Sequence, residues 1–215
     1  MEFLKQLLED ISTGKIESKD LPTAFDKIAK ILLQNTKIVT PKSNFHLREI
    51  EVYFYSESLH PDPYTHAVKR QLEFGEWYFH RLNDVKPFLR SRRNGLDITF
   101  GNKNKSIFGG ILIRKIENIR TKEPTVGINR VVRKLIENIG EENINEIALG
   151  FGQQVFDNQQ LLHIETDDNN SPSKIFKTQR YGLTDREDEL SKLYFKIPYC
   201  YYNHDLDVAQ IKIEI

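Results

Sequence analysis

Phe3, Leu4, Leu7, Leu8 and Ile11 recur at helical spacing, and this apolar stripe predicts an amphipathic helix over residues 2–12, stopped by Gly14. A second helix is predicted over 24–33. Short apolar runs then predict strands over 37–40, 46–55, 77–81, 96–101 and 109–116, with Gly, Pro and Asn between them as turn residues. Val131, Leu135, Ile136 and Ile139 place a third helix over 130–139, closed by Gly140, and residues 143–149 extend the helical pattern. A polar loop is predicted over 166–173, and closing strands over 193–202 and 208–215. Strands, a helix, then strands again imply an α+β fold with a mainly antiparallel sheet flanked by helices. The expected organisation is an N-terminal helical arm, 1–20, followed by a single domain, 21–215.

Composition adds constraints. The chain has 215 residues, enough for a core without disulfide or metal staples. A single cysteine, Cys200, rules out a disulfide framework within the chain and suits a reducing compartment. The longest apolar run, 107–113, is far short of a membrane span, and the start of the chain lacks the pattern of a signal peptide, so a cytoplasmic location is expected. The zero net charge argues at first against a polyanionic partner, but it hides an asymmetry. Residues 141–215 hold 14 acidic and 7 basic side chains, leaving 24 basic and 17 acidic upstream. Lys69, Arg70, Arg81, Lys86, Arg90, Arg92 and Arg93 cluster there among aromatic residues. Such a mixture is either a solvated basic surface over an aromatic core or a face for nucleic acid, where cations neutralise phosphates and rings stack on bases.

No phosphate-binding Gly loop, dinucleotide fingerprint, zinc-protease motif or Cys pair is present. The segment 48–55 is more informative. Alternation puts Glu49, Glu51, Tyr53 and Tyr55 on one strand face and Ile50, Val52 and Phe54 on the other. The first face is either the wet side of a sheet or a partly dry pocket in which a carboxylate serves as general base. The Pro-stiffened loop His60-Pro61-Asp62-Pro63-Tyr64-Thr65-His66 follows, and its His60, Asp62 and His66, with Glu51, offer donors for a metal. The ordinary alternative is that these are hydrogen-bonding loop residues.

Glu51-Val52-Tyr53 followed by Asp62-Pro63-Tyr64-Thr65-His66-Ala67 resembles a signature of the alkyladenine (3-methyladenine) DNA glycosylase family. Gly75 to Phe79, Gly110 to Arg114, Gln179 to Leu183 and Lys192 to Phe195 resemble further family elements in the same order, as do Ala24 to Leu33 upstream. The resemblance spans residues 21–202. It implies a curved antiparallel sheet of the formyltransferase C-terminal-domain type. It also implies a monofunctional glycosylase that flips an alkylated or deaminated purine from DNA and hydrolyses its N-glycosidic bond. By position Glu51 is then the base that activates water, Arg114 orients Glu51, and Tyr53, His66, Tyr78 and His80 contact the flipped base. Lys69, Arg70, Arg81, Arg90, Arg92 and Arg93 would face the phosphates. Water as nucleophile implies no metal and no cofactor. The chain departs from the family in a longer loop between Tyr53 and His66, an insertion over 81–93, and Asn94 where an apolar or aromatic wedge is usual.

Two other readings compete. In a metal-dependent nuclease, Asp97 would join a second carboxylate around a cation. In a catalytically inactive module, the fold would bind nucleic acid, nucleotide or a protein partner, with Glu51 paired off. Geometry separates them: the glycosylase reading requires Glu51, Tyr53, His66 and Arg114 in one cleft.

Overall fold

The computed structural model describes residues 1–82, 94–140, 154–167, 174–203 and 213–215. The predicted helical extension over 143–149, most of the loop over 166–173 and most of the strand over 208–215 lie outside them.

Two helices open the chain, α1 (Glu2–Ser12) and α2 (Leu21–Asn35). The predicted stripe of α1 buries Leu4, Leu8 and Ile11, while Phe3 points outward, 68% exposed. The helix packs against α2 in the same core as the sheet. Pro22 lies in the first turn of α2, where its missing N–H costs no helical hydrogen bond.

The sheet follows from β1 (Thr36–Val39), β2 (Asn44–Ser56), β3 (His60–Pro61), β4 (Phe74–Phe79), β5 (Leu96–Phe100), β6 (Phe108–Asn118) and β7 (Pro124–Val126). It is completed by β8 (His163–Thr166), β9 (Phe176–Thr178), β10 (Cys200–Tyr202) and β11 (Ile213–Glu214), with α3 (Ile128–Ile139) and α4 (Glu189–Lys196) between strands. The main order is β11-β9-β10-β2-β6-β5-β4, and β1, β3 and β7 attach to its long central strands β2 and β6. Every pairing among the described residues is antiparallel. This is an open α+β sheet in one domain, as the order of elements implies.

One face carries the core. Ile50, Val52 and Phe54 from β2 meet Ile111 and Ile113 from β6 and the apolar faces of α1 and α2. Phe54 stacks on Phe100 with 5.9 Å between ring centroids, and Phe25 closes on Phe54 edge-on at 5.8 Å.

The predicted strand over 193–202 is corrected. Residues 189–196 are the helix α4, and only Cys200–Tyr202 extends the sheet. The Asp188 side chain accepts the Ser191 N–H at 2.8 Å and caps the helix, and Ser191 and Tyr194 bury one side of it at helical spacing. Pro198 then separates helix from strand.

Candidate active site

The site grows from an irregularity in the two central strands. The core side of β2 is built from Phe45 and Leu47, then from Ile50, Val52 and Phe54, so the buried parity changes between 47 and 50. On β6 it changes between Ile113 and Ile116. The β2–β6 register shifts at the same place, around Glu49. Such a bulge re-aims side chains without ending the strand; Glu49 and Arg114 lie beside it, on the same face as Glu51. Across the sheet, Cys200, Glu51, Leu112, Asp97 and Tyr78 are successive Cα partners, so they share the face opposite the core.

That face is not wet at its centre. Glu51 is 0% and Glu49 5% exposed, which overturns the solvated-face alternative for this strand. Glu51 Oε1 accepts the Tyr181 backbone N–H at 2.6 Å and lies 3.3 Å from Arg114 Nη1, and Oε2 accepts the Tyr53 hydroxyl at 2.8 Å. Arg114 Nε donates to Glu49 Oε1 at 3.0 Å, and its guanidinium lies 4.4 Å over the Tyr181 ring. Burial pushes the Glu51 carboxyl up from the usual carboxylate range, against the opposing pull of Arg114, the Tyr181 N–H and the Tyr53 hydroxyl. Burial likewise drives the Tyr53 phenol up, with the Glu51 carboxylate acting in the same sense, and lifts Tyr181 to about 12. Both stay protonated, and the Tyr53 hydroxyl donates to Glu51.

Glu51 stands at the edge of a cavity of about 490 Å³, within the range of small-molecule sites. Arg114, Tyr53, Tyr64 and Tyr181 join it in the wall, His66 and His80 line the other side, and Leu112 lies between. The Pro-stiffened loop is anchored by a fully buried ion pair, Asp62 to Arg180 at 2.6 and 3.2 Å, and the same guanidinium lies 4.6 Å from the Tyr53 ring centre. Loop, strand and pocket ring are thereby held by one arginine. At the far end of the cavity Asp97 lies two strands from Glu51, about 10 Å by sheet spacing. Its Oδ2 accepts from Gln71 Nε2 at 3.2 Å, and its Oδ1 lies 2.8 Å from His80 Nε2.

Aligned over 188 positions that cover 82% of the chain and 84% of the relative, the chain is 30% identical to uncharacterized protein L759 of Acanthamoeba polyphaga mimivirus. The chain belongs to the L759 family. No family model matches it.

In this member of the L759 family, Glu51, Arg114, Tyr53, His66 and His80 converge on one cavity. His66 is on its exposed rim, 5.7 Å from His80 between ring centres. Tyr78 is half-buried and packs on His80 at 4.7 Å. Lys69, Arg70 and Arg81 are exposed, with Arg70 3.5 Å from Glu76, whereas Arg90, Arg92 and Arg93 fall outside the described residues. Asn94 is 1% exposed and so is no wedge. The metal alternative fails on its donors: His60 is spent on Phe54 O and the Tyr199 hydroxyl, and Asp62 on Arg180. Among the described residues no three His, Cys, Asp or Glu side chains gather as a ligand set. Asp97 pairs with Gln71 and His80 and not with a second carboxylate, contrary to the nuclease alternative. No helix among the described residues is long and apolar enough to cross a membrane.

Sequence reasoning missed Gln71, Tyr64 and Tyr181 as wall residues. Tyr181 is within reach, since it follows Arg180 in the segment 179–183 that resembles a glycosylase element. Gln71 carries no such signal: it enters from a short 3₁₀ turn, Lys69–Leu72.

Proposed function

We propose that this protein is a monofunctional purine N-glycosylase acting on damaged DNA in base excision repair. The observation that carries the reading is Glu51: a buried carboxylate with an elevated pKa, oriented by Arg114, at the edge of an aromatic-walled cavity. Glu51 Oε2 accepts one hydroxyl and keeps a lone pair for a water in the cavity. As that water attacks C1′ of the sugar, Glu51 takes its proton, the C1′–N bond breaks, and the purine leaves with the bonding electrons. Arg114 and the Tyr181 N–H fix the carboxylate, and Tyr53, Tyr64, His66 and His80 bracket the base. The resemblance of the Glu51–Tyr53 and Asp62–Ala67 segments to alkyladenine glycosylases supports the same assignment.

A second reading, a pocket that binds nucleic acid, nucleotide or a protein partner without turnover, is favoured by one observation, the burial of Asn94 at the wedge position. Duplex and single-stranded oligonucleotides carrying 3-methyladenine, hypoxanthine or ethenoadenine separate the two when abasic sites are counted. The glycosylase reading expects release, lowered about 10²- to 10⁴-fold in Glu51→Gln. Equal release by wild type and variant sinks it, and binding with no release selects the module.

A further inference from the structure

Arg114 is the extra residue of the bulge in β6. Glu49 pairs with Lys115 and Ile50 with Ile113, so Arg114 has no Cα partner on β2 and stands opposite the step from Glu49 to Ile50. Its backbone is fixed there, the carbonyl accepting the Gly127 N–H at 2.8 Å. One guanidinium thereby serves two carboxylates of the same strand. Its Nε donates to Glu49 Oε1 at 3.0 Å, and Nη1 lies 3.3 Å from Glu51 Oε1. The shorter contact goes to Glu49, which is buried and reaches the cavity only through Arg114.

The charges around Glu51 do not balance. Besides Arg114, the other cation acting on it is Arg180, which is committed to Asp62 at 2.6 and 3.2 Å. Tyr53 and the Tyr181 N–H are neutral donors. The Cys200 thiol, opposite Glu51 on β10 and 3.8 Å from Glu49 Oε1, is held protonated by burial. Asp97, at the far end of the cavity, is paired with His80. Three buried carboxylates, Glu49, Glu51 and Asp62, thus face two guanidiniums, and Arg114 is the cation that two of them share.

We infer that Glu49 is a positioning residue: it locks the Arg114 fork by its Nε edge and holds part of that cation's charge away from Glu51, so that Glu51 stays basic enough to take a proton from water. The chemistry of that proton rests on the glycosylase reading above, whereas the arrangement of the three side chains stands without it. With Glu49 neutral, a like charge is removed and Arg114 acts on Glu51 alone. Both changes favour the Glu51 carboxylate over its acid form. Glutamine makes this change with little else, because its amide oxygen still accepts the Nε–H.

The test is a pH titration of the Glu51 carboxyl by ¹³C NMR, its signal assigned by its loss in Glu51→Gln, beside the abasic-site assay. Glu51 should titrate at lower pH in Glu49→Gln than in wild type. The acid limb of kcat/KM should move the same way, and kcat should fall about tenfold, since a weaker base takes the proton less readily. Glu49→Asp, which keeps the charge, should titrate with wild type. Denaturant unfolding establishes that each variant is folded; if Glu49→Gln is not, Glu49→Met, which also removes the charge, must show the same downward shift. A Glu51 titration that stays in place or moves upward in the neutral variant overturns the inference, as does a Glu49→Asp that follows the neutral variant. A fall in kcat with the titration unmoved is what a merely structural role gives, and overturns it equally. A shifted titration without abasic-site formation leaves Glu49 in its role toward Glu51 and removes the glycosylase. Release by wild type with an unmoved titration does the reverse.

Discussion

Glu51 receives three donors and still holds its proton more tightly than an ordinary carboxyl, because burial outweighs the partners. The sign of the consequence follows. A base must be ionised, so the acid limb of kcat/KM should lie above the usual carboxylate value of 4.5, and activity should rise with pH through that limb. Stability moves the other way. The folded protein binds the proton more tightly than the unfolded chain, so the advantage is complete below 4.5 and is lost as pH rises through the folded value. Denaturant titrations at several pH values should show this decline in wild type and its absence in Glu51→Gln; an identical decline in both would exclude Glu51 as its source. At this scale the sequence reveals the residues on the central strands. Glu51 and Tyr53 are two apart on one strand, so local alternation suffices to place them together. The distance between Asp97 and Gln71 along the chain is closed by tertiary packing alone, and no local pattern records it.

Among the elements, α1 was legible as a helix from its stripe, but what covers the stripe was not. Leu8 is fully buried between α2 and the sheet side of the core. Leu8→Ala should therefore cost about 2–5 kcal/mol, read from the shift of the denaturation midpoint at unchanged slope. A loss below about 0.5 kcal/mol would mean that α1 contributes as a surface helix does. The strands β2, β4, β5 and β6 were readable because they are long or strongly apolar. β7, β8 and β9, of three or four residues, were missed, since so short a run has no period to detect. Leu193, Tyr194, Phe195 and Ile197 suit strand or helix alike, and the cap at Asp188 decides for the helix α4. The bulge at Glu49 was invisible for a related reason: uninterrupted alternation had to be assumed, and the parity switch appears only when β2 and β6 are paired.

For the molecule as a whole, neutrality conceals a basic first 140 residues that supply most of the cavity and an acidic remainder that supplies Tyr181, Gly182 and Leu183. The two parts are locked together where β10 lies against β2, with Cys200 opposite Glu51. That thiol is fully buried, and burial with two carboxylates nearby raises its pKa well above the ordinary value. It is also the chain's one cysteine. A thiol reagent can therefore modify the native protein only after β10 parts from its neighbours, since the thiolate is the reactive form and here is both rare and enclosed. Labelling should be negligible in native buffer and should accelerate in step with denaturant, tracking loss of the sheet by circular dichroism. Prompt labelling without denaturant would show that β10 opens alone. The protein thus carries its own clock for the event that would take the cavity apart.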